Sequence, residues 1–240
     1  PVGTTAVGFV DGYFIVIVPG TSIFALSSLY NGLEWDTLDR AIRSTAADNL
    51  IGLHVDHREV WLGGSESFEV WVDSGNPSFP FEPIRGTVIQ VGLLAPASFT
   101  KIRDEHAMAW VGKTDGGPRV FAATGGYEPK AISTHAVELR LQQYGEDAVR
   151  QARAYSYQEH GHTYYVLLVP TAPVAWVYDF SASAKAGRAR VGACRACAAE
   201  RRLLEQGRTR NRRWRRGCAG DGTGAERLQE LRLRARRKVG

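Results

Sequence analysis

The sequence predicts an all-β protein built as an incomplete β-propeller-like array of antiparallel blades, and three observations support this. Runs of five to seven β-branched and aromatic residues are bounded by Gly and Pro, which is typical of strands. A unit of strand, acidic or His-containing turn, strand, Gly/Pro turn and strand occurs four times. Its first turns, aligned on Asp11, His57, Glu105 and His160, follow one another at sequence spacings of 46, 48 and 55. A period of about 40–50 residues indicates propeller blades.

The four units occupy residues 7–29, 50–75, 98–124 and 152–179. The clearest is the hairpin 159–179, in which strands 163–169 and 174–178 flank the breaker Pro170-Thr171-Ala172-Pro173. We expect each blade's fourth strand in a connector, such as 35–44 or 84–91. Because propellers usually have about four to eight blades, we expect an incomplete ring. An antiparallel sandwich of similar hairpins is the alternative.

One segment, residues 133–155, departs from the β pattern. Val137, Leu141 and Tyr144 recur there at helical spacing. Gly145 is predicted to end one short helix, and a second is predicted to start in residues 146–152. This short helical insertion accounts for the longest of the three spacings.

Charge divides the chain near residue 184. Residues 185–240 carry 18 Lys/Arg against 5 Asp/Glu, a net of +13, and residues 1–184 carry 12 basic against 20 acidic side chains, a net of −8. Such a shift marks a boundary. We predict a β-propeller-like domain over 1–183 and an Arg/Ala/Gly-rich tail over 184–240. No Ile, Phe or Tyr follows Phe180, so we expect an irregular or weakly helical tail that does not extend the blades.

The basic tail has two interpretations. Its composition is typical of a disordered segment or of a shifted reading frame in a GC-rich gene, and a frameshift or gene-fragment artefact is the preferred interpretation. Alternatively, the segment RTRNRRWRR (208–216) is an Arg-rich nucleic-acid-binding sequence with one stacking aromatic. Cys194, Cys197 and Cys218 have no nearby His to complete a zinc site. Residues 1–184 contain no Cys, which excludes a disulfide scaffold there.

Three features bear on processing and targeting. The chain starts at Pro1 rather than Met, so we expect a fragment or a processed product. The sequence contains no run of about 18 apolar residues, so we expect no membrane span. The N-terminal stretch lacks a basic region and contains Asp11, which argues against a signal peptide.

Candidate catalytic and metal-binding residues are few. His160 and His162, with His135 and Glu159, raise the possibility of a metal site, but Gly161 places the pair in a turn and no third ligand follows from spacing. A structural role is therefore preferred. The cluster of His54, Asp56 and His57 is expected to form turn hydrogen bonds.

Paired carboxylates are the other candidates. A glycosidase needs two carboxyl groups about 5–10 Å apart. The candidate acidic residues are Glu34, Asp36 and Asp39 in one segment and Asp104 and Glu105 in another. Both segments are predicted loops, so we prefer the interpretation that these side chains are solvent-exposed loop residues. Phosphate-loop, nucleophile-elbow and HExxH motifs do not occur in the sequence. We therefore predict no enzyme, no catalytic, cofactor-binding or metal-binding residue, and no cofactor.

Aromatic residues are expected to pack in the hydrophobic core rather than to form a functional site. Most Trp residues fall on predicted strands beside small or β-branched residues, and packing between blades is their expected role. They are Trp35, Trp61, Trp71, Trp110 and Trp176.

Four segments together resemble one protein family. They are REVWLGGSESFEVW (58–71), NPSFPFEPIRG (76–86), GYEPKAISTHAVE (126–138) and GHTYYVLL with WVYD (161–168 and 176–179). In order and spacing they are similar to the packaged-DNA stabilisation protein, or tail hub (tail accessory factor), of short-tailed double-stranded DNA phages. The similarity runs from about residue 7 to residue 179.

The resemblance implies a virion structural protein of the phage tail, assembled in the host cytoplasm. Such hubs form a hexameric ring below the portal and head-to-tail adaptor, close the channel so that packaged DNA is retained, and support the tail needle and tailspikes. Packaged DNA would lie nearby without sequence-specific binding. An acidic surface would repel its phosphates. A propeller-type sugar-binding protein or glycosidase is the alternative function.

Overall fold

Antiparallel strands dominate the structure, a computed structural model that describes residues 3–43, 48–102, 107–186, 189 and 191–194. Within these ranges, sixteen strands form four sheets of four strands each. In every sheet the strands lie side by side in chain order, and all neighbouring pairs are antiparallel. We call these sheets blades 1 to 4. The predicted all-β, propeller-like class is confirmed.

The strand bounds are as follows. Blade 1 contains β1 (Val7–Val10), β2 (Tyr13–Ile17), β3 (Ile23–Leu26) and β4 (Arg40–Ile42). Blade 2 contains β5 (Leu50–Asp56), β6 (Glu59–Gly64), β7 (Phe68–Asp73) and β8 (Phe81–Pro83). Blade 3 contains β9 (Thr100–Ile102), β10 (Ala107–Thr114), β11 (Gly117–Thr124) and β12 (Pro129–Ala131). Blade 4 contains β13 (Arg153–Glu159), β14 (His162–Leu168), β15 (Ala175–Asp179) and β16 (Val191–Cys194).

The first hairpin of blades 1, 2 and 4 reverses through two residues with positive φ. A two-residue type I′ turn requires positive φ at both central positions, and its twist suits the flanking strands. The central pairs are Asp11-Gly12, His57-Arg58 and His160-Gly161. Three of the four predicted first turns are therefore confirmed, and the turn at Glu105 lies outside the described residues.

The core lies between blades rather than within one layer. Side chains alternate across each strand, so a strand covered on both sides is apolar at every position. In β10, Met108 and Trp110 pack toward blade 2, whereas Ala109 and Val111 pack toward blade 4. Blades 1 and 2 enclose a third cluster around Phe24, Leu62 and Trp71. This explains why the sequence shows continuous apolar runs.

The helices fall where the sequence predicts them, with one addition. Helix α1 (His135–Tyr144) ends at Gly145, whose φ of 83° suits glycine, and α2 (Glu146–Arg150) follows directly. Both predicted helices are confirmed. A third, α3 (Phe180–Ala186), follows β15 and was not predicted. No helix of the described part of the chain is long and apolar enough to cross a membrane.

The fourth strand of blade 2 lies outside its predicted region, whereas that of blade 1 lies within it. β4 lies inside the predicted connector 35–44. β8 lies at Phe81–Pro83, just before the predicted region 84–91. Burial explains the shift, because the Phe81 side chain is only 3% exposed and belongs to the cluster between blades 1 and 2. That contact holds residues 81–83 against β7.

The predicted inability of the tail to extend a blade is wrong for residues 191–194. β16 pairs with β15 and completes blade 4, and Val191 packs against the cluster between blades 3 and 4. An edge strand bonds to one neighbour only, so a single apolar residue facing the core is sufficient. Residues 195–240, with Cys197, Cys218 and the segment 208–216, lie outside the described residues. The boundary at 183/184 stays a prediction.

Gly92 provides a test of the packing between a connector and blade 2. A Cβ at Gly92 would overlap the backbone carbonyl oxygen of Ser65 and the amide nitrogen of Glu66. Backbone atoms of a hairpin turn cannot move aside cheaply. We expect Gly92→Ala to lower the free energy of unfolding by about 1–3 kcal/mol, measured by urea denaturation.

Gly126 is the matched control for Gly92. A Cβ there meets nothing within 4 Å and its φ is not in the left-handed region. We expect Gly126→Ala to leave stability unchanged or slightly raised. Equal effects of the two substitutions would contradict the packing described for Gly92.

Candidate functional site

Polar side chains join the first strands of successive blades. β1, β5, β9 and β13 contact one another in that order, so the first strands line one side of the array. We call the polar groups between them the inter-blade seam. Its members are Asp11, His54, Asp56, His57, Arg58, Lys101 and Ser156.

Blades 1 and 2 are joined at the seam by an ion pair between their first turns. Nε of Arg58 lies 2.9 and 3.1 Å from the two carboxylate oxygens of Asp11. Both residues sit at positive φ, so the turn geometry aims the side chains at each other. Arg58 is largely exposed, and an exposed ion pair contributes about 0–1 kcal/mol. The pair fixes orientation more than stability.

Blades 2 and 3 are joined by a more buried group. The Asp56 carboxylate, which is 8% exposed, contacts the ammonium group of Lys101 and lies 2.6 Å from Nδ1 of His57. Asp56 ends β5, and Lys101 is the middle residue of β9. Removing Lys101 would leave a nearly buried carboxylate without its ammonium partner.

His54 lies in the middle of β5, with its side chain between blades 2 and 3. Its Nε2 lies 3.3 Å from the backbone nitrogen of Lys101, and Phe99 packs edge-on against its ring at 5.5 Å. Burial is the main influence on its pKa and lowers it, with Asp56 and Lys101 acting in opposite directions. The neutral ring is the form that can accept the Lys101 N–H.

Blades 3 and 4 are joined through the same lysine. The hydroxyl of Ser156 donates to the carbonyl oxygen of Lys101 at 2.6 Å. Lys101 therefore bonds blade 2 through its side chain and amide and blade 4 through its carbonyl. One residue couples three blades.

The seam makes stability depend on pH. Because the folded chain lowers the pKa of His54, the unfolded chain takes up a proton first as pH falls below about 6.5. Stability is therefore fully present above that pH and is lost below it. We expect the melting temperature to decrease when the pH is lowered from 7.5 to 5.5. In the His54→Gln variant this decrease should be smaller. An unchanged pH dependence in His54→Gln would contradict the assignment.

The predicted turn role of this cluster is correct only for His57, which occupies a turn. His54 and Asp56 instead lie on β5 and join blades. His54 and Asp56 are adjacent to the turn in the chain, so a local pattern does not separate the end of β5 from the turn. The signal for the seam was absent, since its partner Lys101 is 47 residues from His54.

The histidines considered as metal ligands have separate partners. His160 is 80% exposed in the turn, whereas His162 lies on β14 with Nδ1 2.9 Å from Oδ2 of Asp179. Asp179 also accepts the Ala182 N–H at 2.8 Å and so caps α3. Glu159 ends β13, and His135 starts α1. Across the described ranges no three His, Cys, Asp or Glu side chains are grouped as a metal site requires.

The acidic loop residues make local contacts. Oδ1 of Asp36 accepts the Leu38 N–H at 2.9 Å, which is an Asx turn. Glu34 and Asp36 are exposed and Asp39 is half-buried. Asp104 and Glu105 lie outside the described residues. Nothing in the arrangement of the described acidic residues supports a sugar-binding or glycosidase site.

Tryptophan packing follows the prediction, with one exception. Trp61, Trp71 and Trp110 are buried in inter-blade clusters, and Trp176 packs against the cluster between blades 3 and 4. Trp35 is half-buried in a loop and donates to the Gly32 carbonyl at 2.9 Å.

One buried ion pair had no signal in the sequence. Arg43, whose side chain is fully buried, contacts the carboxylate of Asp48 and donates to the Ser67 carbonyl at 2.7 Å. Asp48 accepts the Glu66 and Ser67 N–H groups at 2.7 and 3.2 Å. The pair ties the connector between blades 1 and 2 to the β6–β7 turn.

Comparison with known proteins shows which family the chain belongs to. A profile of the family described as bacteriophage P22 Gp10, beta-propeller, matches residues 3–190 of the 240-residue chain. The chain belongs to this family. The resemblance carried by the four sequence segments is thereby confirmed, and the chain is a phage structural protein of the DNA-stabilisation type. A search of curated proteins gave no match.

Family membership also gives the repeated blades a role. The family is one of phage virion structural proteins, so the structural role of the chain is established at that level. The four blades pack against one another through apolar clusters and are also joined by the polar groups of the inter-blade seam.

Proposed function

We propose that this chain is part of the tail hub that closes the head–tail channel and retains packaged DNA. The observation that carries the proposal is the family match over residues 3–190. The fold supports it, because four blades packed face to face with apolar cores resist deformation better than a single sheet. A plug under internal pressure requires such stiffness.

The proposed assembly is a ring of copies, hexameric by the family resemblance. The proposed neighbours are the portal or head-to-tail adaptor on one side and the tail needle and tailspikes on the other. Assembly would take place in the host cytoplasm and end in the virion tail. The proposed role requires no catalytic residue.

DNA would pass near the blades without sequence-specific binding. Residues 1–184 carry 20 acidic and 12 basic side chains, and a net negative surface disfavours phosphate. We expect the full chain to show no preference among duplex sequences in a competition assay. A preference of tenfold or more for one sequence would contradict this part of the proposal.

The location can be tested in purified phage particles. We expect quantitative mass spectrometry to find the chain in complete virions and in isolated tails, and electron microscopy to show a ring at the head–tail junction. Heads that lack the chain should be empty of DNA. Its absence from complete virions would refute the proposal.

A further inference from the structure

The connector between β3 and β4, residues 27–39, carries a concentration of exposed apolar side chains. Four of the nine exposed large hydrophobic residues of the described chain lie in it: Leu29, Tyr30, Leu33 and Leu38. Leu29 and Tyr30, which are 53% and 77% exposed, lie beside Gly12 in the first turn of blade 1. Large apolar side chains gathered on one exposed segment mark an interaction surface.

Hydrogen bonds hold this connector in one conformation. The Tyr30 N–H donates to the Gly12 carbonyl at 2.7 Å, and the Ser28 N–H donates to the Glu34 carbonyl at 2.9 Å. Tyr30 has a φ of 55°, which a bulky residue adopts only where the surrounding structure imposes it. Because the backbone that presents the apolar side chains is already ordered, binding a partner would cost little conformational entropy.

The connector lies at one end of blade 1 rather than on a sheet face. Successive strands run in opposite directions, so the β1–β2 turn and the β3–β4 connector lie at the same end. The first turns of blades 1 and 2 are joined by the Asp11–Arg58 ion pair, so the β7–β8 connector, residues 74–80, lies at the same end of blade 2. Blades pack through their sheet faces. A further blade packed beside these four would therefore leave this end open.

An open groove of about 440 Å³ lies between these two connectors. Tyr13, Leu26 and Leu29 of blade 1 and Pro77 and Pro80 of blade 2 contribute apolar surface to it. Its volume lies within the range of about 300–1,000 Å³ that is typical of ligand sites. The groove is therefore large enough to receive a long side chain of a partner.

Charge indicates which side chain suits the groove. Its described lining residues include Asp11, Asp39 and Asp73, and none of them is Lys, Arg or His. Asp11 is paired with Arg58, whereas Asp39 and Asp73 have no ion-pair partner among the described residues. Complementary charge orients a partner and excludes the wrong ones. Arginine suits this lining better than lysine, because its planar guanidinium binds carboxylates through two hydrogen bonds and stacks on aromatic rings such as that of Tyr13.

We propose that this end of blades 1 and 2 binds a polypeptide segment of a partner protein. An arginine of the segment enters the groove beside Asp39 and Asp73, and its apolar neighbours pack on Leu29 and Tyr30. Nucleic acid does not fit this surface, because its phosphates would meet the same carboxylates. The inference goes beyond the proposed hub role, since it depends neither on DNA retention nor on a ring.

The test uses an array of synthetic peptides, each with a central arginine and varied apolar neighbours. In a matched array citrulline replaces the arginine, which keeps the shape of the side chain and removes its charge. The labelled full-length chain is applied to both arrays, and fluorescence anisotropy then measures the dissociation constant of the strongest binder. We expect the arginine peptide to bind at least about tenfold more tightly than its citrulline counterpart, and added salt to weaken its binding.

Two double variants of the full-length chain locate the binding. Asp39→Asn with Asp73→Asn removes two charges from the groove, and Asn keeps the oxygen that accepts the Gly75 N–H at 2.8 Å. We expect this double variant to bind the strongest peptide about tenfold more weakly. The matched control is Asp115→Asn with Asp147→Asn, two exposed carboxylates near the β10–β11 turn at the opposite end of the blades. It should bind as the wild type does.

Tyr30→Gly tests the apolar part of the surface. It removes the ring, and Gly suits the positive φ, so the connector should keep its conformation. We expect binding to weaken at least about fivefold. Leu139→Ala, which shortens an exposed side chain on α1, is the control and should leave the affinity unchanged. Circular dichroism checks the folding of every variant.

Any of three results would overturn the inference. They are equal affinity for the arginine and citrulline peptides, unchanged binding by the groove double variant or by Tyr30→Gly, and no binding by the wild type. The last is the result expected if a second copy or the chain's own segment 208–216 fills the groove. Such a failure would leave the hub role standing, because DNA retention by the phage tests that role independently. Absence of the chain from virions would refute the hub role and leave the measured peptide affinities unchanged.

Discussion

Replacing Arg43 with Met is expected to lower the free energy of unfolding by about 3–5 kcal/mol, the range observed when one partner of a buried ion pair is removed. The Asp48 carboxylate is only 6% exposed, and without the guanidinium it would remain buried as an uncompensated charge. The loss would be a large share of a typical domain stability of about 5–15 kcal/mol. Urea denaturation monitored by Trp fluorescence measures it.

Two further variants control this experiment. Arg58→Met removes the exposed partner of Asp11 and should cost no more than about 1 kcal/mol. Adding Asp48→Asn to Arg43→Met removes the uncompensated charge and should recover part of the loss. If the double variant were less stable than Arg43→Met, the buried charge would not be the cause.

Trp110→Ala is expected to be similarly destabilising, by about 3–5 kcal/mol. The Trp110 side chain is fully buried between blades 2 and 3. Its ring centroid lies 4.8 Å from that of Phe68 and 6.2 Å from that of Phe121. Truncation would leave a cavity at the junction of two blades, and thermal or urea unfolding would report the loss.

Trp110→Phe is the matched control for the cavity. The indole nitrogen is buried without a hydrogen-bond partner among the described residues. Phe keeps most of the packing and removes this N–H, so we expect a loss of less than about 1.5 kcal/mol. A loss as large as that of Trp110→Ala would mean that ring shape, rather than filled volume, holds the junction.

Local patterns predicted the strands and turns because those depend on neighbouring residues. The hairpin turns at Asp11-Gly12 and His160-Gly161 follow from residues that tolerate positive φ. Gly145 between two helices follows in the same way. β8 was misplaced because its position depends on where Phe81 is buried, which is a tertiary property.

The seam and the buried ion pair depend on contacts between distant segments. Arg43 bonds Ser67 across 24 residues and Ser156 bonds Lys101 across 55. No local motif reports which polar residue of one blade meets which residue of the next. β16 was not predicted for a different reason. Its pairing requires only the free edge of β15 and one apolar residue, Val191, so the segment carries little strand pattern of its own.

Retention of DNA in the phage head is the main role proposed for this chain, and loss of the chain would test that role. A phage with a nonsense codon in this gene should package DNA in a non-suppressing host and then release it. Nuclease-protected DNA per head should fall at least tenfold relative to a suppressing host, and electron micrographs should show empty heads. Purified full-length chain added before release should restore retention. Heads that keep their DNA without the chain would refute the proposed role.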